Sequence, residues 1–226
     1  KRILDIGCGA GRFAEVVADT GAKLLAIDYS SAVDACYANL KSYPQADVAQ
    51  ANVYELPLKP GSFDYVYCFG VLQHTPDPHA SVLALAAPLK RGGKLALDFY
   101  PRLLGNIFWP KYWLRPLTRR MNQERLFRVV QLLVRLLLPL SRAFAAVPLI
   151  GRRLRYLLPI MAYYGTLPLS EMQHREWAIL DTFDMLAPAH DHPQTAASVQ
   201  AWLAEAGLRD IEAERAGLVI GRATKA

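Results

Sequence analysis

The sequence predicts an α/β fold: a mostly parallel sheet closed by an antiparallel hairpin, with a basic helical insertion after the fifth strand. Three observations lead there. Over residues 1–100 short apolar runs alternate with helix-like stretches, the mark of βαβ units. Near the end of the chain a helix-like stretch is followed by two strand-like runs joined at Ala216-Gly217. Between these parts lie roughly ninety residues that show no strand and helix alternation.

The first strand is Ile3 to Ile6, ending in glycines, and the second is Leu24 to Ile27. Ala46 to Ala51 and Phe63 to Phe69 follow, then a helix near Ala80 to Leu89, a Gly92-Gly93 turn and a fifth strand from Lys94 to Phe99. Thr195 to Ala206 reads as a helix stopped by Gly207, with strands at Arg209 to Glu214 and Leu218 to Ala223. The organisation is therefore a core at 1–100, an insertion at 101–193 and the last helix and hairpin at 194–226. Pro101, Pro110, Pro116, Pro139, Pro148, Pro159 and Pro168 punctuate the insertion and predict several short helices, with a break or kink at Pro139.

A chain of 226 residues, 53% hydrophobic and with mean hydropathy +0.11, can bury a full core, which excludes a disordered protein. Cys8, Cys36 and Cys68 are scattered and form no CxxC pair, so neither a disulfide framework nor a structural zinc site is expected, and a reducing cytoplasm fits. The chain opens at Lys1 and enters a strand by Ile3, which reads as a fragment whose upstream helices lie outside it. The net charge of +6 is concentrated in one segment: nine basic against ten acidic residues in 1–100, twelve against one in 101–165, five against nine in 166–226.

The sharpest motif is Asp5-Ile6-Gly7-Cys8-Gly9-Ala10-Gly11, directly after a strand and opening a helix. Glycines there let the backbone turn tightly and approach a ligand. Asp28 ends the second strand and suits a carboxylate that accepts from both ribose hydroxyls. A dinucleotide site wants GxGxxG, whereas here Arg12 follows Gly11. The charge of Asp5 also disfavours a pyrophosphate and favours the ammonium and sulfonium of S-adenosylmethionine (SAM).

On these motifs the chain resembles the class I SAM-dependent methyltransferases, whose sheet is Rossmann-like. Ile3 to Gly11 looks like the family's first motif, Ala26-Ile27-Asp28-Tyr29-Ser30 like its second, and Phe63-Asp64-Tyr65-Val66 with Val71-Leu72-Gln73-His74 like its fourth-strand region. The resemblance implies that Gly7, Gly9 and Gly11 line the methionine portion of SAM, that Asp28 holds the ribose and that Tyr29 packs on the adenine, with Asp5 and Cys8 counted among the cofactor-binding residues of the same loop. It places Asn52 and Val53 at the adenine amino group, where Asn52 stands in for the usual acidic residue and can still accept through its side-chain carbonyl. Phe69 and Gly70 fall beside the methyl donor.

Methyl transfer from a sulfonium is an in-line displacement driven largely by alignment and desolvation, and an oxygen or nitrogen acceptor can also need a base. His74 is one candidate, set against its use in a helix-entry turn. His190 is the other, in a polar run from Asp181 to His192 read as a loop before the last helix, where His190 and His192 alone would not make a metal site. His174 and Glu176 read as surface residues.

In the insertion Arg128, Arg135 and Arg142 recur every seven residues between leucine and valine runs, a polar stripe on an otherwise apolar helix. Between Arg102 and Arg155 the longest stretch without a basic residue, Ala143 to Gly151, is nine residues, too short to cross a bilayer. A substrate lid packed on the fold is the plainest reading. Peripheral contact of residues 101–165 with an anionic membrane comes next, supported by Arg152, Arg153 and Arg155 beside Tyr156 and by Phe108-Trp109. An RNA platform comes last, since aliphatic side chains are wasted on a phosphate track and Cys68-Phe69-Gly70-Val71 lacks the Asn/Asp-Pro-Pro-Tyr/Phe signature of amino-group nucleic-acid methyltransferases. The sequence thus predicts SAM-dependent methylation of a small or lipid-like molecule, against an RNA methyltransferase or a noncatalytic SAM-fold module at a membrane surface.

Overall fold

The computed structural model describes residues 1–103, 109–154 and 157–226. Phe108, Arg155, Tyr156 and the side chain of Arg152 lie outside the described residues.

A seven-stranded sheet has the order β3-β2-β1-β4-β5-β7-β6. Strands β1 (Arg2–Ile6), β2 (Lys23–Asp28), β3 (Ala46–Gln50), β4 (Phe63–Cys68) and β5 (Leu89–Phe99) pair in parallel. Strand β7 (Leu218–Lys225) runs antiparallel to both β5 and β6 (Leu208–Ala216). The predicted mostly parallel sheet with its antiparallel end is what forms. The order reverses between β1 and β4, so the loop after β1 opens at the topological switch point, where ligands gather in such sheets.

The alternation of strand side chains separates two cores. Leu24 and Ala26 of β2 pack with Ala14 and Ala18 of α1 (Arg12–Ala18) and with Cys36 and Leu40 of α2 (Ala32–Leu40). Ile27 joins Leu4, Ile6 and Val66 in the other cluster, which is covered by Val82 of α3 (Pro78–Ala84) and by Val199 and Leu203 of α8 (Ala196–Glu205). Helix α3 starts where Pro78 follows Asp77, whose carboxylate accepts from the Ala80 N–H at 3.1 Å. In α8, Thr195 and Ser198 form a reciprocal capping box.

Gly92-Gly93 is not a turn before the fifth strand but an irregularity within it, since β5 begins at Leu89 and its register against β4 shifts between Phe63 and Tyr65. A Cβ at Gly93 would stand 2.9 Å from the Lys90 carbonyl oxygen, which is why glycine suits the crowded crossing.

The chain divides into two compact units, Lys1–Arg102 with His190–Ala226, and Leu103–Ala189. The expected core and insertion borders at 100 and 193 thus move to 102 and 189. Residues 190–194 are tied to the core by backbone bonds, His192 N–H to the Gln73 carbonyl at 2.8 Å and Gln194 N–H to the Tyr100 carbonyl at 2.9 Å.

The second unit contains α4 (Pro110–Thr118), α5 (Gln123–Ala145), α6 (Gly151–Leu154) and α7 (Glu171–Leu186). Its own core joins Leu126, Val130, Val134 and Leu138 of α5 to Ala178 and Leu186 of α7. Three expectations are corrected here. Helix α5 is not broken at Pro139; it runs 23 residues through it. Pro139 is exposed, and the buried Leu138 and Ser141 hold the helix on either side of the missing N–H. Nor is Asp181 to His192 one loop, because Asp181 to Leu186 complete α7 and Asp181 accepts from the Tyr163 hydroxyl. Buried Arg115 donates to the carbonyls of Met185 and Pro188, both at 2.9 Å, placing a cation at the carboxyl end of α7. His174, expected at the surface, is buried and stacked on Tyr164 at 4.0 Å, whereas Glu176 is exposed. Among the described residues no helix is long and apolar enough to cross a membrane.

Candidate cofactor and acceptor site

The loop after β1 is shaped by glycines. Gly7, Gly9 and Gly11 all have positive φ, at 83°, 52° and 94°. They serve different ends. A Cβ on Gly7 would meet Val71 at 2.3 Å, so glycine lets the post-β4 turn close on the loop. A Cβ on Gly9 would meet nothing within 4 Å, so the space beside it is open to a ligand. Gly11 precedes α1 and faces Cys36.

Asp28 is fixed at the end of β2 by this loop: its Oδ2 accepts from the Gly9 N–H at 2.9 Å, while Oδ1 accepts from the Ser30 N–H at 2.8 Å and the Ser30 hydroxyl at 2.7 Å. A cavity of about 380 Å³ opens beside it, lined by Ile6, Gly7, Ile27, Asp28, Tyr29, Ala51, Asn52, Val53, Tyr54, Val71, His74, Thr75 and Pro76. Of the residues singled out in the sequence, Gly7, Asp28, Tyr29, Asn52, Val53 and His74 are brought together here. Tyr29 is 76% exposed and so has room to lie over a base. Asn52 uses its Oδ1 to accept from the Tyr54 N–H at 3.1 Å, capping a 3₁₀ turn at Val53–Glu55, with one lone pair of that oxygen left over.

Other expected residues lie elsewhere. Cys8 is buried and its thiol leans on the Gly9 carbonyl and on Cys36, so two of the three cysteines scattered in the sequence are neighbours in space. Burial first, and then Cys36, push the Cys8 thiol well above the usual range, which keeps it protonated. Phe69 stacks on Tyr67 at 5.4 Å and meets Phe13 edge-on at 5.6 Å, lining a separate open groove of about 660 Å³ beside α1. Gly70 has φ 74° and donates its N–H to Asp98 of β5 at 2.6 Å. Asp98, an acid inside an apolar strand, was the signal overlooked in the sequence; its pKa is raised, chiefly by burial. Tyr54 and Thr75 were also missed, since neither belongs to a motif.

Asp5 is 2% exposed and its Oδ2 has no hydrogen-bond partner among the described residues. Burial pushes its pKa up to about 7; the nearby Tyr67 hydroxyl opposes the rise without completing a hydrogen bond, and the charge of Asp28 adds to it.

His74 ends a 3₁₀ turn at Leu72–His74 and stands edge-on to Tyr100 at 5.6 Å. Its Nδ1 lies 3.0 Å from the His190 carbonyl oxygen, and since a carbonyl only accepts, the ring proton belongs on Nδ1. Nε2 is then a lone pair, buried and without a partner among the described residues. His190 thus reaches His74 through its backbone, while its ring stacks on His192 at 5.7 Å. Among the described residues no group of three or more His, Cys, Asp or Glu side chains is arranged to hold a metal.

Comparison with known proteins places this geometry. Residues 4–97 match the family described as Methyltransferase domain. Over 100 residues the chain is 43% identical to the ubiquinone biosynthesis O-methyltransferase of Xanthomonas euvesicatoria, covering 43% of this chain and 42% of that protein. The chain therefore spans less than half the length of the curated relatives it matches. In fold it is similar to a SAM-dependent methyltransferase from Aquifex aeolicus (TM-score 0.54, 12% identity, covering 100% of this chain and 82% of that one). It is likewise similar to the magnesium protoporphyrin IX methyltransferase of Synechocystis (TM-score 0.53, 16% identity, 99% and 74%). The switch-point glycine loop, the Asp28 cavity and the matched segment agree: residues 4–97 match the methyltransferase domain family, and the sheet has the fold of the class I SAM-dependent methyltransferases.

Proposed function

We propose that the chain transfers a methyl group from SAM to a small or lipid-like acceptor, with the cofactor's nucleoside in the Asp28 cavity. The observation that carries this reading is that one cavity presents both Asp28, at the end of β2, and His74, with its Nε2 lone pair uncommitted.

The residues present fit the cofactor. Ile6, Ile27, Val53 and Val71 offer apolar walls to a planar base, and the partnerless Asp5 oxygen in a buried setting suits a cationic neighbour such as the methionine ammonium. Asp28 already accepts three hydrogen bonds of the four or so that a carboxylate can take, so binding two ribose hydroxyls requires the Ser30 hydroxyl to turn away. When bound, SAM supplies an electrophilic methyl on a sulfonium. His74 takes the proton of an acceptor hydroxyl or amine at Nε2, and the His190 carbonyl holds the ring in the tautomer that can do so. A relative named for O-methylation makes a hydroxyl the favoured acceptor group.

The insertion is spliced into the chain between β5 and the segment whose His190 carbonyl holds His74, which supports a role in choosing the substrate. Its basic, aliphatic composition favours a lipid-like acceptor and peripheral contact with anionic lipid over nucleic acid.

The test is incubation of wild type and His74→Ala with labelled SAM and a cell extract. Labelled product is expected in the lipid or small-molecule fraction, reduced by about 100-fold or more in the variant, with SAM affinity preserved. His190→Ala should change turnover little, because its backbone makes the contact. Label confined to RNA, or SAM binding with no transfer, would overturn the reading.

A further inference from the structure

We propose that the solvent-facing side of α5 docks on an anionic lipid bilayer. The inference rests on the reading above in that it gives a lipid-like acceptor its source, but the surface is argued from its own residues.

At 100° per residue, Leu126, Val130, Val134, Leu138 and Ser141 fall on one side of α5, and all are buried. A soluble amphipathic helix would carry polar residues opposite them. Here the opposite side carries Val129, Leu132, Leu136 and Leu140, exposed by 37%, 56%, 63% and 41%, with exposed Arg125 among them. One border of this stripe is the row Arg128, Arg135 and Arg142, all exposed. Arg142 pairs with Glu171 at 2.9 Å, whereas Arg128 and Arg135 have no ion pair among the described residues. Past the end of α5 the same character continues in the exposed Val147, Leu149 and Ile150, with exposed Arg153 after them.

The occupant follows from the combination. The stripe is aliphatic, with no aromatic side chain on which a base could stack, which disfavours RNA. A second copy docked by the same face would bring arginine rows together, and Glu124 is the single acidic residue in 101–165 to offset them. A bilayer interface supplies both an apolar layer for the leucines and anionic headgroups for the arginines, along a helix about 35 Å long at 1.5 Å per residue.

The test is flotation of the full chain with vesicles of phosphatidylglycerol in phosphatidylcholine and with vesicles of phosphatidylcholine alone. The wild type should bind the anionic vesicles preferentially. Arg128→Gln with Arg135→Gln should weaken that binding about 30-fold, at about fivefold per arginine, and Leu132→Gln with Leu136→Gln should weaken it even where salt has screened the charges. All these variants should bind SAM like the wild type, so a defect here is distinguishable from failure of the cofactor site. Vesicle binding without methyl transfer would support this inference while overturning the proposed reaction. Four results would overturn it: no vesicle binding by the wild type, indifference to both double substitutions, binding to RNA in place of vesicles, or a wild-type dimer that Leu132→Gln with Leu136→Gln converts to monomer.

Discussion

Asp5 shows at the scale of one residue how the apo fold and the cofactor pull in opposite directions. Its pKa in the fold is near 7, against an ordinary 3.8, so the folded state holds the proton more tightly than the unfolded chain. The stability this provides is fully present below about pH 4 and is lost as pH rises toward 7, amounting to at most about 4 kcal/mol. Asp5→Asn, which mimics the protonated group, should therefore raise the melting temperature of the cofactor-free protein at pH 8 and change it little at pH 4. SAM affinity should rise between pH 6 and pH 8 in the wild type, as the carboxylate ionises, and lie flat in Asp5→Asn. Calorimetric titrations at the two pH values check this, and a variant with the wild-type pH dependence would remove Asp5 from the site. The placement of Asp5 and Asp28 was legible because each lies at the end of an apolar strand beside a glycine loop or turn. The precise use of their neighbours was not. Cys8 sits inside the motif yet turns to Cys36, and Asn52 spends its oxygen on a cap, because side-chain direction depends on what packs behind the loop.

At the scale of elements, the βαβ strands were legible because their signal is local: a run of apolar residues bounded by glycine or a capping residue. The full length of helix α5 was not, since a proline in its last third reads as a stop while tertiary packing on the Leu138 face overrides it. That cost is measurable. Pro139→Ala restores an N–H to the helix interior at an exposed position and should stabilise the full chain by about 1–3 kcal/mol, read from urea denaturation followed by helical signal. No gain would mean that the helix accommodates Pro139 without penalty. The same lesson applies at β5, where Gly92-Gly93 marks an irregularity inside a strand, a distinction that depends on the β4 partner and not on the dipeptide.

At the scale of the whole molecule, the chain is a core that matches the methyltransferase domain family over residues 4–97, interrupted by a helical unit with a separate hydrophobic cluster. The borders differed from expectation by a few residues because the backbone bonds of His192 and Gln194 to the core are long-range and leave no mark in the local sequence. The existence of the insertion, by contrast, was plain from its charge. The proposed chemistry needs the nucleoside cavity beside Asp28, and calorimetric titration of SAM into the full chain and into Asp28→Ala tests that cavity most directly. One site per chain is predicted for the wild type. Loss of hydrogen bonds to a charged acceptor, worth about 1.5–3 kcal/mol each, should weaken the variant by at least about tenfold while its circular dichroism stays that of the wild type. No binding by the wild type, or equal affinity in a correctly folded Asp28→Ala protein, would contradict the account.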